Sequence, residues 1–142
     1  LQDDYLDVVP QGRGTALYQA VDEALTHAIS YREDLEAQGI EVRTTIFIIT
    51  DGEDNSSSLN SAKNVKDHVA SLRSNEAWAS TFTINMLGVG KESIFRSACL
   101  DMGLNPDKCL STIGSTAKEI RAQMGVVSQS VSSSTQTSSV NF

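Results

Sequence analysis

The segment TTIFIIT, at residues 44–50, limits the possible folds of this chain more than any other feature. Its residues are apolar or β-branched throughout, and polar residues do not alternate with apolar ones. A strand with one solvated face shows such alternation, whereas a strand covered on both faces of a parallel sheet forms a continuous apolar run. The segment therefore predicts a strand that lies inside a parallel α/β sheet.

Helical and strand patterns alternate along the rest of the chain. Apolar residues recur at helical spacing from Leu17 to Ile29, which predicts a helix that runs to about Glu36 and ends before Gly39. The later predicted elements are, in chain order, a helix from about 59 to 72, a strand over 80–87 closed by Gly88-Val89-Gly90, a helix over 92–102, a strand over 109–113 and a helix over 117–131. This order predicts an α/β fold with a mainly parallel sheet and helices on both faces.

Composition excludes some classes of function. A net charge of −7 argues against non-specific binding of nucleic acid, which needs a basic surface. The longest apolar run, residues 46–49, is too short to cross a membrane. The N-terminus lacks the pattern of a secretory signal, and Cys99 and Cys109 lack metal-binding spacing. We interpret the chain as cytoplasmic with two reduced core thiols, and a single disulfide is the alternative.

The loop after the first strand carries two overlapping patterns that are typical of divalent-cation sites. Asp51 heads the turn Thr50-Asp51-Gly52 directly after the apolar run. Residues 54–58 spell D-x-S-x-S, which can hold a cation through one carboxylate and two hydroxyls. Ligands of parallel α/β folds bind beyond the carboxyl ends of the strands, where this loop is predicted to lie.

Three segments together resemble the von Willebrand factor type A (VWA) domain. They are GRGTALYQAVDEAL, TTIFIITDGEDNS and TINMLGVG, in that order and spacing. The resemblance covers nearly all of residues 12–131 and looks closest to bacterial intracellular members, such as those linked to tellurite resistance. It implies a three-layer Rossmann-like fold and a module that binds a protein partner through Mg²⁺, not an enzyme.

The resemblance also implies which residues bind the ion. In the family, the metal-ion-dependent adhesion site takes ligands from a D-x-S-x-S motif, from a Thr at the start of a later helix and from an Asp after the fourth strand. The matching residues here are Thr15 and Asp51, with Mn²⁺ or Ca²⁺ as alternatives to Mg²⁺ and with a carboxylate of the partner as a further ligand. Gly14, Asp54 and Asn55 are predicted to contribute to partner binding. From the residues alone, Thr15 could be only a helix N-cap and Asp51 only a turn residue.

The chain departs from the family in one large respect. No apolar strand with a D-x-S-x-S motif precedes Thr15, so residues 1–131 are predicted to be a partial VWA-like domain. In the family's strand order 3-2-1-4-5-6, they supply the equivalents of strands 4, 5 and 6. We expect the N-terminal VWA half, from a segment outside this sequence or from a second chain, to pair with strand 44–50. Residues 132–142 are Ser/Thr-rich and are predicted to be a disordered tail.

The D-x-S-x-S pattern at residues 54–58 is not expected to replace the missing motif. It shares one loop with Asp51, whereas the family's motif approaches the ion from the opposite side. Ser56 to Ser58 are expected to cap the helix that follows.

Two other functions stay open at this point. One is an enzyme that holds Mg²⁺ with Asp51 and Asp54 for hydrolytic or phosphoryl-transfer chemistry, although no nucleophile–base pair is visible. The other is a structural fragment without a working metal site.

Overall fold

A computed structural model of the protein describes residues 16–52, 54–55, 57, 60–113, 117–134 and 142. The elements are α1 (Leu17–Ala37), β1 (Thr44–Thr50), α2 (Ser61–Ser74), α3 (Glu76–Ala79), β2 (Phe82–Val89), α4 (Glu92–Asp101), α5 (Pro106–Cys109), β3 (Leu110–Ile113) and α6 (Ala117–Ser134). No helix among these residues is long and apolar enough to cross a membrane.

The three described strands form one parallel sheet in the order β1-β2-β3. β1 pairs with β2 along its whole length, from Thr44 opposite Phe82 to Thr50 opposite Gly88. β2 also pairs with β3, which makes β2 the central strand. The prediction of an α/β fold with a parallel sheet is confirmed.

The described buried cluster packs against one face of this sheet. Alternate residues of a strand point to the same face, and Ile48 of β1 shares its face with Met86, its partner in the register, and with Ile84. These side chains form one buried cluster with apolar residues of α1, α2 and α4. Leu25 of α1 is completely buried in this cluster. Burying such a side chain stabilises the fold by roughly 1.5–3 kcal/mol.

The opposite face of β1 is covered less than the sequence predicts. Ile49 points to that face and is 54% exposed, and neither Ile49 nor Phe47 belongs to the buried cluster. The expectation that β1 is covered on both faces is therefore wrong at Ile49. The reason is position, because β1 ends the order of described strands, whereas central β2 has buried residues on both faces.

Helix α1 ends as predicted. Gly39 has a φ of +80°, a conformation that favours glycine. Its N–H donates to the carbonyl of Glu36 at 2.9 Å, and the N–H of Ile40 donates to that of Leu35 at 3.1 Å. This pair of bonds is the Schellman motif, which satisfies carbonyl groups that a helix end leaves without partners.

Other boundaries differ from prediction. β2 includes Gly88 and Val89, which were expected to form its closing loop, and the short helix α5 precedes β3. Helix α6 extends to Ser134, which is three residues into the predicted disordered tail. Phe142 is buried, with its ring 6.4 Å from that of Phe82, while residues 135–141 lie outside the described part.

Candidate functional site

The candidate site lies at the carboxyl end of β1. Thr50, the last residue of the strand, is buried, and its hydroxyl donates to the carbonyl of Gly52 at 3.2 Å. Asp51 follows directly and is exposed. Within the described part of the chain, the Asp51 carboxylate has no hydrogen-bond or ion-pair partner. A solvent-facing carboxylate at this edge is available to an external ligand.

Asp54 has a different environment from Asp51. Its Oδ2 accepts a hydrogen bond from the backbone N–H of Tyr18 at 2.7 Å, in the first turn of α1. Ser57 acts beside it, because its Oγ accepts from the N–H of Gln19 at 2.9 Å. The first N–H groups of a helix have no partner inside the helix, and Ala16 at the N-cap position makes no side-chain cap. The loop after β1 therefore caps α1 from a distance in sequence.

Asp54 and Ser57 are also joined to each other. The Ser57 N–H donates to Asp54 Oδ1 at 3.2 Å, and the Ser57 hydroxyl donates to Asp54 Oδ2. A carboxylate at a helix N-terminus is further stabilised by the helix dipole, by roughly 0.3–1 kcal/mol. These contacts hold Asp54, Ser57 and the start of α1 together.

One expectation for this loop needs correction. Ser57 was expected to cap α2, but it caps α1, and the N-cap residue of α2 is Asn60, which makes no side-chain cap. The role of Asp54 in partner binding stays a prediction, and its described bonds connect it to Tyr18 and Ser57. Asn55 is exposed, as its predicted contact with a partner requires.

Two pairs of predicted residues lie outside the described part of the chain. One pair is the proposed metal ligand Thr15 with its neighbour Gly14, and the other is Ser56 and Ser58. Thr15 was also considered as the N-cap of α1, a position that Ala16 takes.

The donor set of the described residues fits a magnesium ion only in part. Mg²⁺ requires about six oxygen ligands in near-octahedral geometry. Asp51 offers one open carboxylate, whereas Asp54 is bonded to α1 and Ser57. No group of three or more His, Cys, Asp or Glu side chains that could hold a metal occurs among the described residues. A complete site needs ligands beyond these.

A polar cleft beside the loop was not foreseen from the sequence. It has a volume of about 370 Å³ and lies between the start of α1, Asp54 and α4. Ser93, Ser97 and Asp101 line it from one side of α4, at a spacing of four residues. This four-residue spacing could have indicated the polar cleft from the sequence. The same spacing is also typical of an ordinary solvated helix face.

Tyr18 connects this cleft to the capped end of α1. Its hydroxyl donates to Asp101 Oδ2 at 2.8 Å. Burial, followed by this hydrogen bond, raises the pKa of Tyr18 well above its usual value of 10.0. The phenol is therefore neutral near pH 7 and serves as a hydrogen-bond donor.

Comparisons of the chain with protein-family models, with curated proteins and with solved structures each found no match. The parallel sheet itself shows the α/β class. The VWA resemblance rests on the three sequence segments named above.

Proposed function

We propose that this chain is a VWA-type protein-binding module that recognises a partner carboxylate through a divalent cation at the carboxyl end of β1. The observation that carries the proposal is the attachment of the start of α1 to the loop after β1. The two hydrogen bonds from Tyr18 and Gln19 to this loop make that attachment. They bring together two chain segments that the VWA resemblance assigns to one metal site.

The local geometry supports Asp51 as a ligand. Asp51 lies three residues before Asp54, so it shares the loop that contacts the first turn of α1. The VWA resemblance pairs Thr15 with Asp51, so the proposal assigns the hydroxyl of Thr15 and the carboxylate of Asp51 to one ion. The exposure of Asp51 supports this role, because an internal partner would compete with the cation.

The charge of this ligand pair favours binding of an acidic partner. One carboxylate and one neutral hydroxyl leave a divalent cation with net positive charge, so a carboxylate of the partner is an attractive further ligand. Mg²⁺ is the proposed ion, and Mn²⁺ or Ca²⁺ would accept the same oxygen ligands.

We further propose that an N-terminal VWA half or a complementing chain supplies the remaining ligands and pairs beside β1. Two observations support this part: β1 is the last strand on its side of the described sheet, and Ile49 is 54% exposed. Long exposed apolar strands at the edge of a sheet are normally covered in native proteins.

The enzyme alternative has less support. It requires Asp54 as a second metal ligand beside Asp51. Both carboxylate oxygens of Asp54 accept hydrogen bonds from Tyr18 or Ser57, and these bonds would have to break first.

Titration calorimetry with Mg²⁺ and Mn²⁺ tests the proposal. We expect Asp51→Asn to weaken binding at least about tenfold, because the carboxylate proposed as the metal ligand is lost. Asp34→Asn is the matched control, since it removes the same charge from an exposed position near the other end of α1.

Equal affinity in Asp51→Asn and the unchanged chain would refute the site assignment. If the unchanged chain binds neither ion, the structural-fragment alternative is favoured.

A further inference from the structure

The two cysteines lie together in the core, although they belong to different helices. Cys99 is in α4 and Cys109 is the last residue of α5. Their Sγ atoms are 4.0 Å apart, and the exposed fractions are 0% for Cys99 and 3% for Cys109. The Sδ atom of Met86 lies 3.4 Å from the Cys99 Sγ. The two thiols are thus neighbours that are not joined by a disulfide bond.

The distance that separates this pair from a disulfide is short. An S–S bond is about 2.05 Å long, so the two sulfurs must approach each other by about 2 Å. α5 is a single four-residue turn, whereas α4 has ten residues and is packed in the core through Phe95 and Ala98. A small rearrangement of α5 is therefore the easier route to closure.

We propose that Cys99 and Cys109 form an oxidative modification site, at which hydrogen peroxide converts the two thiols into a disulfide. In the first step, the Cys109 thiolate attacks one oxygen of the peroxide and the O–O bond breaks. Cys109 becomes a sulfenic acid, and the departing hydroxide takes up a proton to form water. In the second step, the Cys99 sulfur attacks the Cys109 sulfur, and the S–S bond forms as a second water leaves. Two thiols are oxidised and one peroxide is reduced.

The opposite pKa shifts of the two thiols give this order of steps. The hydrogen-bonding contact between the two sulfurs lowers the pKa of Cys109, and the same contact, together with burial, raises the pKa of Cys99. Cys109 is therefore the sulfur that reaches the reactive thiolate form first. Burial of both residues favours a small oxidant over a bulky disulfide such as oxidised glutathione.

The bridge would connect the helix that lines the polar cleft to the segment that leads into β3. Cys99 lies on the same helix as the cleft residues Ser97 and Asp101, and Cys109 directly precedes β3. Oxidation would thus fix α4 to the start of the third strand.

Peptide mapping of the full chain after peroxide treatment tests this proposal. Trypsin cleaves after Arg96 and Lys108, which places the two cysteines on separate peptides, 97–108 and 109–118. We expect peroxide to produce a cross-linked pair of these peptides, about 2 Da lighter than their sum, that reduction by dithiothreitol separates. Oxidised glutathione at the same concentration should produce little of this species.

Single variants test the order of the steps. Cys99→Ser should stop at the sulfenic acid of Cys109, which dimedone traps, whereas Cys109→Ser should give at least about tenfold less trapped product at Cys99. Equal trapping in the two variants would overturn the assigned order. Two free thiols after peroxide treatment of the unchanged chain, or only bridges between chains, would overturn the modification site itself.

Discussion

Replacement of Asp54 by alanine should destabilise the protein, although Asp54 lies in a loop. The change removes the acceptor of the Tyr18 N–H and the partner of the Ser57 hydroxyl. Loss of a helix N-cap costs about 1 kcal/mol, within a range of roughly 0.5–2. Loss of the charge near the helix dipole adds roughly 0.3–1 kcal/mol. We expect a total decrease in the free energy of unfolding of about 1–2 kcal/mol.

Urea unfolding followed by circular dichroism measures this change in the free energy of unfolding. In thermal unfolding, the Tm should fall by roughly 3–6 °C in a chain of this size. Asp54→Asn keeps an acceptor and removes the charge, so its loss should be smaller than that of Asp54→Ala. The loop provides a matched control, because Asp51→Ala removes a carboxylate that has no partner within the described residues. We expect Asp51→Ala to change stability by less than about 0.5 kcal/mol.

The result that would refute this reasoning is equal stability of Asp54→Ala and Asp51→Ala. A double-mutant cycle with Ser57→Ala adds a second check. Asp54 and Ser57 contact each other and cap the same turn, so the two losses should not be additive.

The remaining predictions concern the packing of β2 and the cleft. A Cβ atom at Gly88 would lie 2.2 Å from an aromatic ring of α4, so Gly88→Ala should destabilise the protein by about 1–3 kcal/mol in urea unfolding. Its control, Gly125→Ala, meets open space within α6 and should be neutral or stabilising by roughly 0.5–1 kcal/mol; the reverse ranking would contradict the described packing. Because the pKa of Tyr18 is raised in the folded state, its contribution to stability is complete below pH 10.0 and is lost as the pH rises above that value. Ultraviolet titration of the unchanged chain, compared with Tyr18→Phe, should show that Tyr18 ionises late. Asp101→Asn should lower the pKa of Tyr18 only in part, since burial is the larger cause of the shift. Ionisation of Tyr18 at its usual pH would refute the assignment.

The features that the sequence predicted well depend on local interactions. The end of α1 follows from Gly39 and its two neighbouring hydrogen bonds, all within one turn of the chain. The strand at residues 44–50 was predicted with the observed boundaries, since its β-branched run is uninterrupted. Sequence position alone also placed Asp51 directly after this strand.

The features that the sequence missed depend on contacts between distant residues. Asp54 caps a helix turn that lies 36 positions earlier, and no local spacing rule shows that bond. Ser56 to Ser58 lie just before α2 in the sequence, and serine is a good N-cap residue. They were therefore predicted to cap α2, the nearer helix. Exposure of Ile49 was missed because an apolar run does not reveal how many layers cover it.

The contact between the loop and α1 also has a consequence for hydrogen exchange. The amides of Tyr18 and Gln19 are in the first turn of a helix, where backbone N–H groups usually exchange with solvent quickly. Here their protection depends on acceptors that follow β1, so opening of the loop exposes both amides at once. These two amides consequently report on the closure of a loop that lies far from them in sequence, and they do so in the unmodified protein.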